Sequence, residues 1–333
     1  MDFLDIVFNI LSSGLPCCLL ALGIFLTYRL LDFADLTAEG SFLLGAAMTG
    51  VLIYNGVNPF LATFLSIIVG ALCGVLTGVL NRYLKIPKLL SGIITLTACA
   101  SIVLIIMGIA KGNESIFKDQ IAFKVGKGST SQTIYSLFTP YRFNEDYGIW
   151  QVVAPWGELI KLVIMLIVVC LTMVIIYFFF GTQYGMAIRA TGMSEKMARA
   201  QGINTDLATI VCVALSNAVI ALAGSLYVQE AKSVSQITAT GYLVIGLASI
   251  LVGEAIFGKR SFKNWLVSVT LGSIVYFIIV TIAVRLGFPT ELKSLLYAIL
   301  ITIALCIPLF KEGFKKLKKK MKESNESKEA PRC

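Results

Sequence analysis

The chain has 333 residues, of which 57% are hydrophobic and 14% are charged, and its net charge is +9. Soluble globular proteins are about 45–50% apolar and about 25% charged, so this composition excludes an ordinary soluble domain. The chain contains no histidine, and none of its eight cysteines stands in a CxxC pair. A metal site or a histidine-dependent catalytic triad therefore has little support.

Apolar runs of about 20 residues recur along the chain, and each could cross a hydrocarbon core of about 30 Å as a helix. The runs are continuous and do not alternate, which excludes membrane-spanning strands. We predict an all-α membrane protein with about nine transmembrane or half-crossing helices. The predicted helices lie near residues 6–28, 41–55, 59–81, 89–110, 159–180, 207–228, 241–257, 264–286 and 292–310.

These helices form one transmembrane domain, residues 1–310, followed by a basic tail at 311–333. Asp2 and Asp5 precede the first apolar run, with no basic residue among the first nine, so a cleaved signal peptide is not expected. One long polar and aromatic loop, residues 111–158, interrupts the series. We expect this loop to fold against the outer mouth of the domain, where it is also a candidate contact for an extracellular delivery protein.

Basic residues flank the predicted helices unevenly. If the tail is cytoplasmic, most of the 28 basic residues fall on the cytoplasmic side. The positive-inside rule therefore predicts an outside N-terminus and a cytoplasmic C-terminus. Such a basic tail beside a membrane helix favours attraction to anionic lipid, with no nucleic-acid partner. The predicted inner segments contain Arg29; Arg82, Lys85 and Lys88; Arg189, Lys196 and Arg199; and Lys259, Arg260 and Lys263.

An internal repeat supports a two-part architecture. Residues 36–40 (LTAEG) and 237–241 (ITATG) are similar, and each is followed by a short, glycine-bounded apolar run. In the predicted topology the two copies enter the membrane from opposite sides. The chain is thus predicted to contain two inverted repeats, an arrangement that places the pathway of a transporter at the repeat interface.

Residues 184–206 form a polar island between two long apolar runs. Its composition predicts one or two short helices on the cytoplasmic membrane surface, broken by Gly192 and stopped by Gly202. Asn204 and Asp206 are available to cap the next apolar helix. We interpret this coupling segment as the surface that a partner protein contacts.

Few ionisable residues interrupt the spans. Glu39 and Glu254 are the candidates, and both are predicted near the inner face, where a solvated or salt-bridged carboxylate is the alternative to a pathway role. Uncharged polar residues could bind a polar solute or join helices to each other. Together with Glu39, the pathway-lining candidates are Thr37, Ser41, Thr95, Thr97, Asn217 and Thr238.

One partial motif argues against nucleotide binding by this chain. Gly253 to Lys259 matches GxxxxGK, but Arg260 stands where Ser or Thr should bind Mg²⁺, and the segment ends an apolar run. We therefore expect no cofactor in this chain and no enzymatic activity of its own.

Three groups of residues follow one another along the chain: 14–23 with its glycine-flanked apolar run, the turn 35–40, and the coupling segment leading into Ala221 to Gly224. In this order they resemble bacterial ATP-binding-cassette (ABC) importer permeases of the branched-chain amino-acid and ribose type. The resemblance implies that the coupling segment contacts an ATPase. The coupling candidates are Gly185, Arg189, Ala190, Gly192, Met193, Glu195, Ala198, Gly202 and Ile203.

The resemblance also implies partners and a location. Two permease copies would form a homodimer in a bacterial plasma membrane. A dimer of cytoplasmic ATPases would hold ATP and Mg²⁺, and an extracellular solute-binding lipoprotein would deliver the substrate. The ATPases would drive rigid-body rocking of the helices, as in other repeat-built transporters.

The substrate class is less sharply indicated. Residues 36–40 differ from the turn of the best-known amino-acid members and look like permeases paired with tryptophan- or tyrosine-type binding proteins. This favours an amino acid, aromatic or branched-chain, or a similar small polar solute. The alternatives are a sugar or nucleoside permease, a self-sufficient ion-coupled transporter that uses Glu39 or Glu254, and a membrane scaffold without transport activity.

Overall fold

A computed structural model describes residues 3–109, 120–122, 132–138, 141–144, 149–152, 156–235, 241–285 and 302. Most of this part is helical. The helices are α1 (Phe3–Phe25), continued by a π-turn (Leu26–Leu30), α2 (Thr37–Tyr54), α3 (Pro59–Arg82), α4 (Lys88–Ile109), α5 (Ile134–Phe138), α6 (Trp156–Gly181), α7 (Gln183–Met193), α8 (Glu195–Ala200), α9 (Thr205–Ala231), α10 (Tyr242–Phe257) and α11 (Phe262–Arg285). Four short strands are β1 (Gln120–Ala122), β2 (Tyr141–Asn144), β3 (Ile149–Val152) and β4 (Ser233–Ser235).

Within the described residues, six helices are long and apolar enough to cross a membrane, and two shorter apolar helices accompany them. The chain is thus an all-α, multi-pass membrane protein, as predicted. Eight of the nine predicted spans correspond to described helices. The ninth, at 292–310, lies outside the described residues except for residue 302, and the basic tail lies outside them entirely.

The largest boundary difference concerns α2, which begins at Thr37 instead of residue 41. The Asp35 carboxylate accepts a hydrogen bond from the Thr37 backbone N–H over 2.9 Å and so caps the first turn. Thr37 and Glu39 therefore lie inside the helix and not in a turn before it.

The helices in the centre of the bundle are the less apolar ones. We compared the most apolar 18-residue stretch of each of these helices. The buried share of that stretch is 78% in α2 and 67% in α9, against 22% in the strongly apolar α6. Lipid is as apolar as a leucine side chain, so helices with polar and small residues gain most by packing on each other. α9 packs against α1, α2 and α3 and forms the centre of the bundle.

Glycines allow α3 and α9 to pack closely. A Cβ atom at Gly70 would lie 2.6 Å from the Asn217 carbonyl oxygen, and one at Gly74 would lie 2.5 Å from the Val213 oxygen. Gly78 meets the Ile210 backbone in the same way. These three glycines therefore form a helix-packing face on α3.

We expect Gly74→Val to destabilise the bundle. The added side chain would overlap the α9 backbone at Val213 and Ala214, and overpacking of this kind costs about 1–3 kcal/mol. Thermal unfolding of the purified protein in detergent measures the effect. Val75→Ala, on the more exposed side of α3, is the control, and equal unfolding temperatures for the two variants would contradict the packing argument.

The end of the bundle where α9 finishes is covered by part of the 111–158 loop. β1 pairs antiparallel with β4, directly after α9. The backbone N–H of Ile134 in α5 donates to Gln229 Oε1 over 2.9 Å. β1 and α5, both within the loop, thus pack on this end of the bundle, and the described parts of the loop include strands that the sequence did not predict.

The other end collects the basic residues, and we call it the basic end. The Arg82 side chain at the end of α3 contacts Glu195 in α8. Gly192 at the end of α7 packs on Leu30 in the π-turn. Arg29 pairs with Glu254 near the end of α10. All of the predicted inner segments except the tail, which is not described, meet here.

Candidate functional site

The coupling segment folds as two short helices, α7 and α8, at the basic end. The break falls at Ser194, whose extended backbone ends α7 and whose hydroxyl accepts from the Met197 N–H to cap α8. The prediction that Gly192 breaks the helix was wrong, because α7 continues through Gly192 to Met193. A serine that can cap supplied the stronger helix-start signal.

Gly192 instead allows α7 to pack closely against the transmembrane bundle. A Cβ atom at this position would lie 1.6 Å from the Leu30 carbonyl oxygen and 3.2 Å from Leu31 Cα. Only a glycine permits this approach, since both contacts are with backbone. The coupling segment thus contacts the π-turn directly, and six residues separate the π-turn from the start of α2.

The exit from α8 agrees with the prediction. Gly202 has φ +80°, a left-handed conformation that favours glycine and ends the helix. The Ile203 N–H donates to the Ala198 oxygen over 3.1 Å. Asn204 then caps α9 by accepting from the Leu207 N–H over 3.1 Å.

An ionic network ties α8 to the bundle. Arg82 Nη1 contacts Glu195 Oε1 at 2.7 Å, and its Nη2 donates to Thr209 Oγ1 at 2.7 Å. Arg199 donates to Glu195 at 3.0 Å and to Asp206 at 3.1 Å. One arginine from α3 therefore holds α8 against the start of α9. The sequence indicated Arg82 as an inner flanking charge and did not indicate these contacts.

The network shifts the titration of Glu195. Partial burial raises the pKa of this carboxyl, but the hydrogen bond and charge of Arg82, with the charge of Arg199, outweigh burial and lower the net pKa below its ordinary value. The stabilisation is thus complete above the unfolded pKa of about 4.3 and is lost as pH falls through the lower folded-state pKa.

We expect Arg82→Gln to lower the unfolding temperature at neutral pH, because the ion pairs to Glu195 and Asp206 disappear. The difference from wild type should shrink once Glu195 is protonated in acid. Thermal unfolding in detergent across pH measures both effects. Arg199→Gln is the control and should cost less, since the Arg199 side chain is 55% exposed against 12% for Arg82. Equal losses would contradict this assignment.

The coupling segment also exposes large apolar side chains. Tyr184 is 79% exposed, Met193 90% and Met197 66%. A groove of about 440 Å³ separates α7 from α9 and is lined by Tyr184, Ile188 and Leu207, among other residues. Exposed apolar side chains beside a groove are typical of a protein-interaction surface.

The other coupling candidates divide into two groups. Gly185 and Ala198 are buried, and Ala190 is partly buried, so they seat the helices. Arg189 is exposed, but its guanidinium lies 4.9 Å from the centre of the Phe262 ring at the start of α11. Its cation–π contact thus joins α7 to α11.

Behind the coupling segment lies a buried polar cluster around Asp35, a residue that the sequence analysis did not select. The Asp35 side chain lies in the turn between the π-turn and α2, and the residue is 5% exposed. Asn217 Nδ2, near the middle of α9, donates to Asp35 Oδ2 over 2.8 Å. Glu39 and Glu254 were therefore not the only carboxylates to consider. The available signal was an Asp two residues before a helix start, where its side chain can accept from the backbone N–H two positions later.

Threonines extend this cluster to α3 and α4. The Thr37 and Thr77 hydroxyl oxygens are 2.8 Å apart, and Thr77 donates to Thr95 Oγ1 over 2.8 Å. Ser41 is fully buried next to the cluster, and its hydroxyl has no hydrogen-bond partner among the described residues. Thr97 lies on an exposed face and donates to the Ile94 oxygen of its own helix. Thr238 lies outside the described residues.

Glu39 joins the two copies of the repeat. Its carboxylate accepts hydrogen bonds from the Gly241 N–H at 2.9 Å and the Leu243 N–H at 3.4 Å, which caps α10. Phe42 stacks on Tyr242, with ring centres 4.4 Å apart. One of the two predictions for Glu39 was a solvated or salt-bridged carboxylate, but in the structure it caps α10. Its carboxylate lies at the positive, N-terminal end of that helix.

Glu254 has the structural role that was its alternative interpretation. It pairs with Arg29 at the end of the π-turn and accepts from Trp265 Nε1 over 2.8 Å. The GxxxxGK match also proves structural, because it forms the end of α10, with Gly258 at φ +76°. The motif directly continues helix α10, whereas a phosphate-binding loop joins a strand to a helix.

Comparisons with known proteins agree with this arrangement. The family profile described as "Branched-chain amino acid transport system / permease component" matches residues 6–305. The tyrosine transport system permease protein of Clostridioides difficile (strain R20291) is 31% identical over 295 residues, which cover 89% of this chain and 88% of that protein. The uncharacterized protein RP368 of Rickettsia prowazekii (strain Madrid E) is 25% identical over 303 residues, with 89% and 96% covered. No solved structure matches the chain.

The profile spans the first repeat, the coupling segment and the second repeat together. The match therefore rests on the same elements that the structure brings into contact, and the chain belongs to the family of permease components of branched-chain amino acid transport systems.

Proposed function

We propose that this chain is the membrane subunit of an ABC importer in a bacterial plasma membrane, and that it takes up an amino acid of the aromatic class. The observation that carries the proposal is the coupling segment, which Gly192 seats on the π-turn while Met193 projects away from the bundle. The similarity to a tyrosine transport permease supports the substrate class. A branched-chain amino acid, a sugar and a nucleoside are the competing cargoes.

The proposed partners follow from the two ends of the bundle. A dimer of ATPases, which supplies the ATP and Mg²⁺ sites, docks on α7 and α8. An extracellular solute-binding lipoprotein docks on the opposite end, and a second copy of this chain completes the pathway as a homodimer. The basic end then faces the cytoplasm, with the N-terminus outside and the C-terminus inside. This chain itself is not an enzyme.

Reconstitution tests the function. The chain is placed in liposomes together with the ATPase and the binding protein proposed as its partners. Uptake of labelled tyrosine is then measured with unlabelled tryptophan, leucine, ribose and adenosine as competitors. We expect ATP-dependent uptake that aromatic amino acids suppress most strongly. An ATPase unable to hydrolyse ATP is the control. Suppression by ribose or adenosine alone would change the substrate class.

Cross-linking tests the docking surface. A photo-reactive residue in place of Met193 should capture the ATPase, because this side chain is 90% exposed at the basic end. The same group at Leu137, exposed in α5 at the opposite end, is the matched control and should capture no ATPase. Labelling of a Met193→Cys variant by an impermeant reagent from outside the cell would overturn the orientation.

Asp35 gives one observation in favour of an ion-coupled transporter, since such proteins use a carboxylate at membrane depth. This alternative predicts uptake by the chain alone, driven by a proton or sodium gradient and lost in Asp35→Asn. Uptake without the ATPase would replace the ABC importer proposal with this one.

A further inference from the structure

Two cysteine thiols touch in the core of the bundle. Cys73 Sγ on α3 and Cys99 Sγ on α4 are 3.4 Å apart, and both side chains are buried. The thiols of Cys18 and Cys212 point instead to backbone carbonyl oxygens. Among the described cysteines, Cys73 and Cys99 thus stand out, because they lie on different helices and their thiols are in contact.

The spacing is that of a non-covalent sulfur–sulfur contact, with no atom between the two thiols. A disulfide has an S–S length of about 2.05 Å, so the two sulfurs need to approach by about 1.4 Å. Rotation of the two side chains with a small adjustment of α3 and α4 can supply this movement. Two cysteines whose side chains point apart would need a larger backbone movement before a disulfide could form.

The pair lies where α2 begins. A Cβ atom at Gly40 would lie 3.1 Å from Cys99 Cβ. Thr77, one turn after Cys73, donates to the Cys73 carbonyl oxygen or to Thr95, and its hydroxyl contacts Thr37. A bond between the sulfurs would therefore fix α3 to α4 beside the capped start of α2, in the polar cluster.

We propose that Cys73 and Cys99 form a reversible disulfide that is a redox modification site and arrests transport. Hydrogen peroxide, a small oxidant that crosses membranes, oxidises one thiol to a sulfenic acid with release of one water. The second thiol attacks that sulfur, the S–S bond forms, and a second water leaves. The two sulfurs together lose two electrons and two protons, and a dithiol reductant reverses the reaction. The arrest rests on the proposed function; the bond itself does not.

Tryptic mapping tests the bond. The full chain in membrane vesicles is treated with hydrogen peroxide, blocked with N-ethylmaleimide and digested without reductant. Cleavage after Arg29, Arg82, Lys88 and Lys111 releases peptides 30–82 and 89–111, each of which contains one cysteine. We expect one linked species, two hydrogens lighter than the sum of the two peptides, that dithiothreitol separates.

Two variants control the mapping. Cys99→Ala keeps the Cβ atom beside Gly40 and removes the sulfur, so it should give no linked species. Cys212→Ala removes a fully buried thiol from α9 and should behave as wild type. Absence of the linked species in oxidised wild type, or linkage of either peptide to another cysteine, would overturn the site.

Transport in the same vesicles tests the arrest. Oxidation should abolish uptake in wild type and in Cys212→Ala, dithiothreitol should restore it, and Cys99→Ala should keep its uptake after oxidation. Unchanged uptake in vesicles that contain the linked peptide would show that the arrest is wrong. Because the peptide is detected without transport, failure of the importer function and failure of the disulfide are separate results.

Discussion

A Gly192→Val variant is expected to lose ATP-driven uptake, which is the largest effect we predict at the coupling segment. Its Cβ atom would lie 1.6 Å from the Leu30 oxygen and 2.7 Å from the Leu30 carbonyl carbon. Neither backbone atom can yield, so α7 has to move away from the π-turn. Local overpacking costs about 1–3 kcal/mol and occasionally more, and the displaced α7 would no longer press on the bundle.

Gly181→Val is the matched control for this variant. Gly181 ends α6 two residues before α7 begins, and a Cβ atom there meets nothing within 4 Å. Uptake and ATP hydrolysis are measured in liposomes with equal amounts of folded permease. We expect hydrolysis to continue in Gly192→Val while uptake stops. Normal uptake in Gly192→Val would show that the contact between α7 and the π-turn is not required for ATP-driven transport.

An Asn217→Leu variant is expected to be severely destabilised. Asn217 is fully buried, and its amide donates to the Asp35 carboxylate. Without the amide the buried Asp35 carboxyl loses a hydrogen-bond donor, and an unsatisfied buried polar group costs about 1–3 kcal/mol, or more when it is charged. The remaining bond to Asp35, from the Thr37 N–H, cannot replace the lost one.

Exchange of the two residues isolates their interaction. Asp35→Asn alone places an amide donor against the Asn217 amide and should also destabilise. The double variant Asp35→Asn with Asn217→Asp restores one donor facing one acceptor, and it should recover part of the lost stability. Thermal unfolding of all three proteins measures the coupling. Thr97→Val, on an exposed face of α4, is the control; additive losses in the double variant would refute the pairing.

Local signals predicted the coupling segment well because its ends depend on neighbouring residues. The backbone at Gly202 and the cap at Asn204 involve contacts within five positions. The same reliance on local signals explains why the break between α7 and α8 was predicted at Gly192, when it lies at Ser194. Helix propensity disfavours glycine, but the cost of about 1 kcal/mol is smaller than the benefit of a close contact that only the folded bundle provides.

The hydrogen-bond partners of the carboxylates could not be predicted from local signals. Glu39 was selected because it stands at a predicted helix entry, yet its partner is the Gly241 N–H, 202 residues away. Asp35 was overlooked because it precedes a helix, and its partner Asn217 is 182 residues away. No periodicity or charge count indicates which distant helix supplies a donor.

The sequence by itself determined which described segments form long apolar helices, which of them share the basic end, and where the coupling segment lies. Run length, flanking charge and capping residues act through water, lipid and near neighbours, so they can be read along the chain. Only the tertiary structure decided that Gly192 seats α7 on Leu30, that Glu39 caps α10, and that the thiols of Cys73 and Cys99 touch. These contacts depend on how helices pack, and packing is set by the shapes of surfaces from distant parts of the chain.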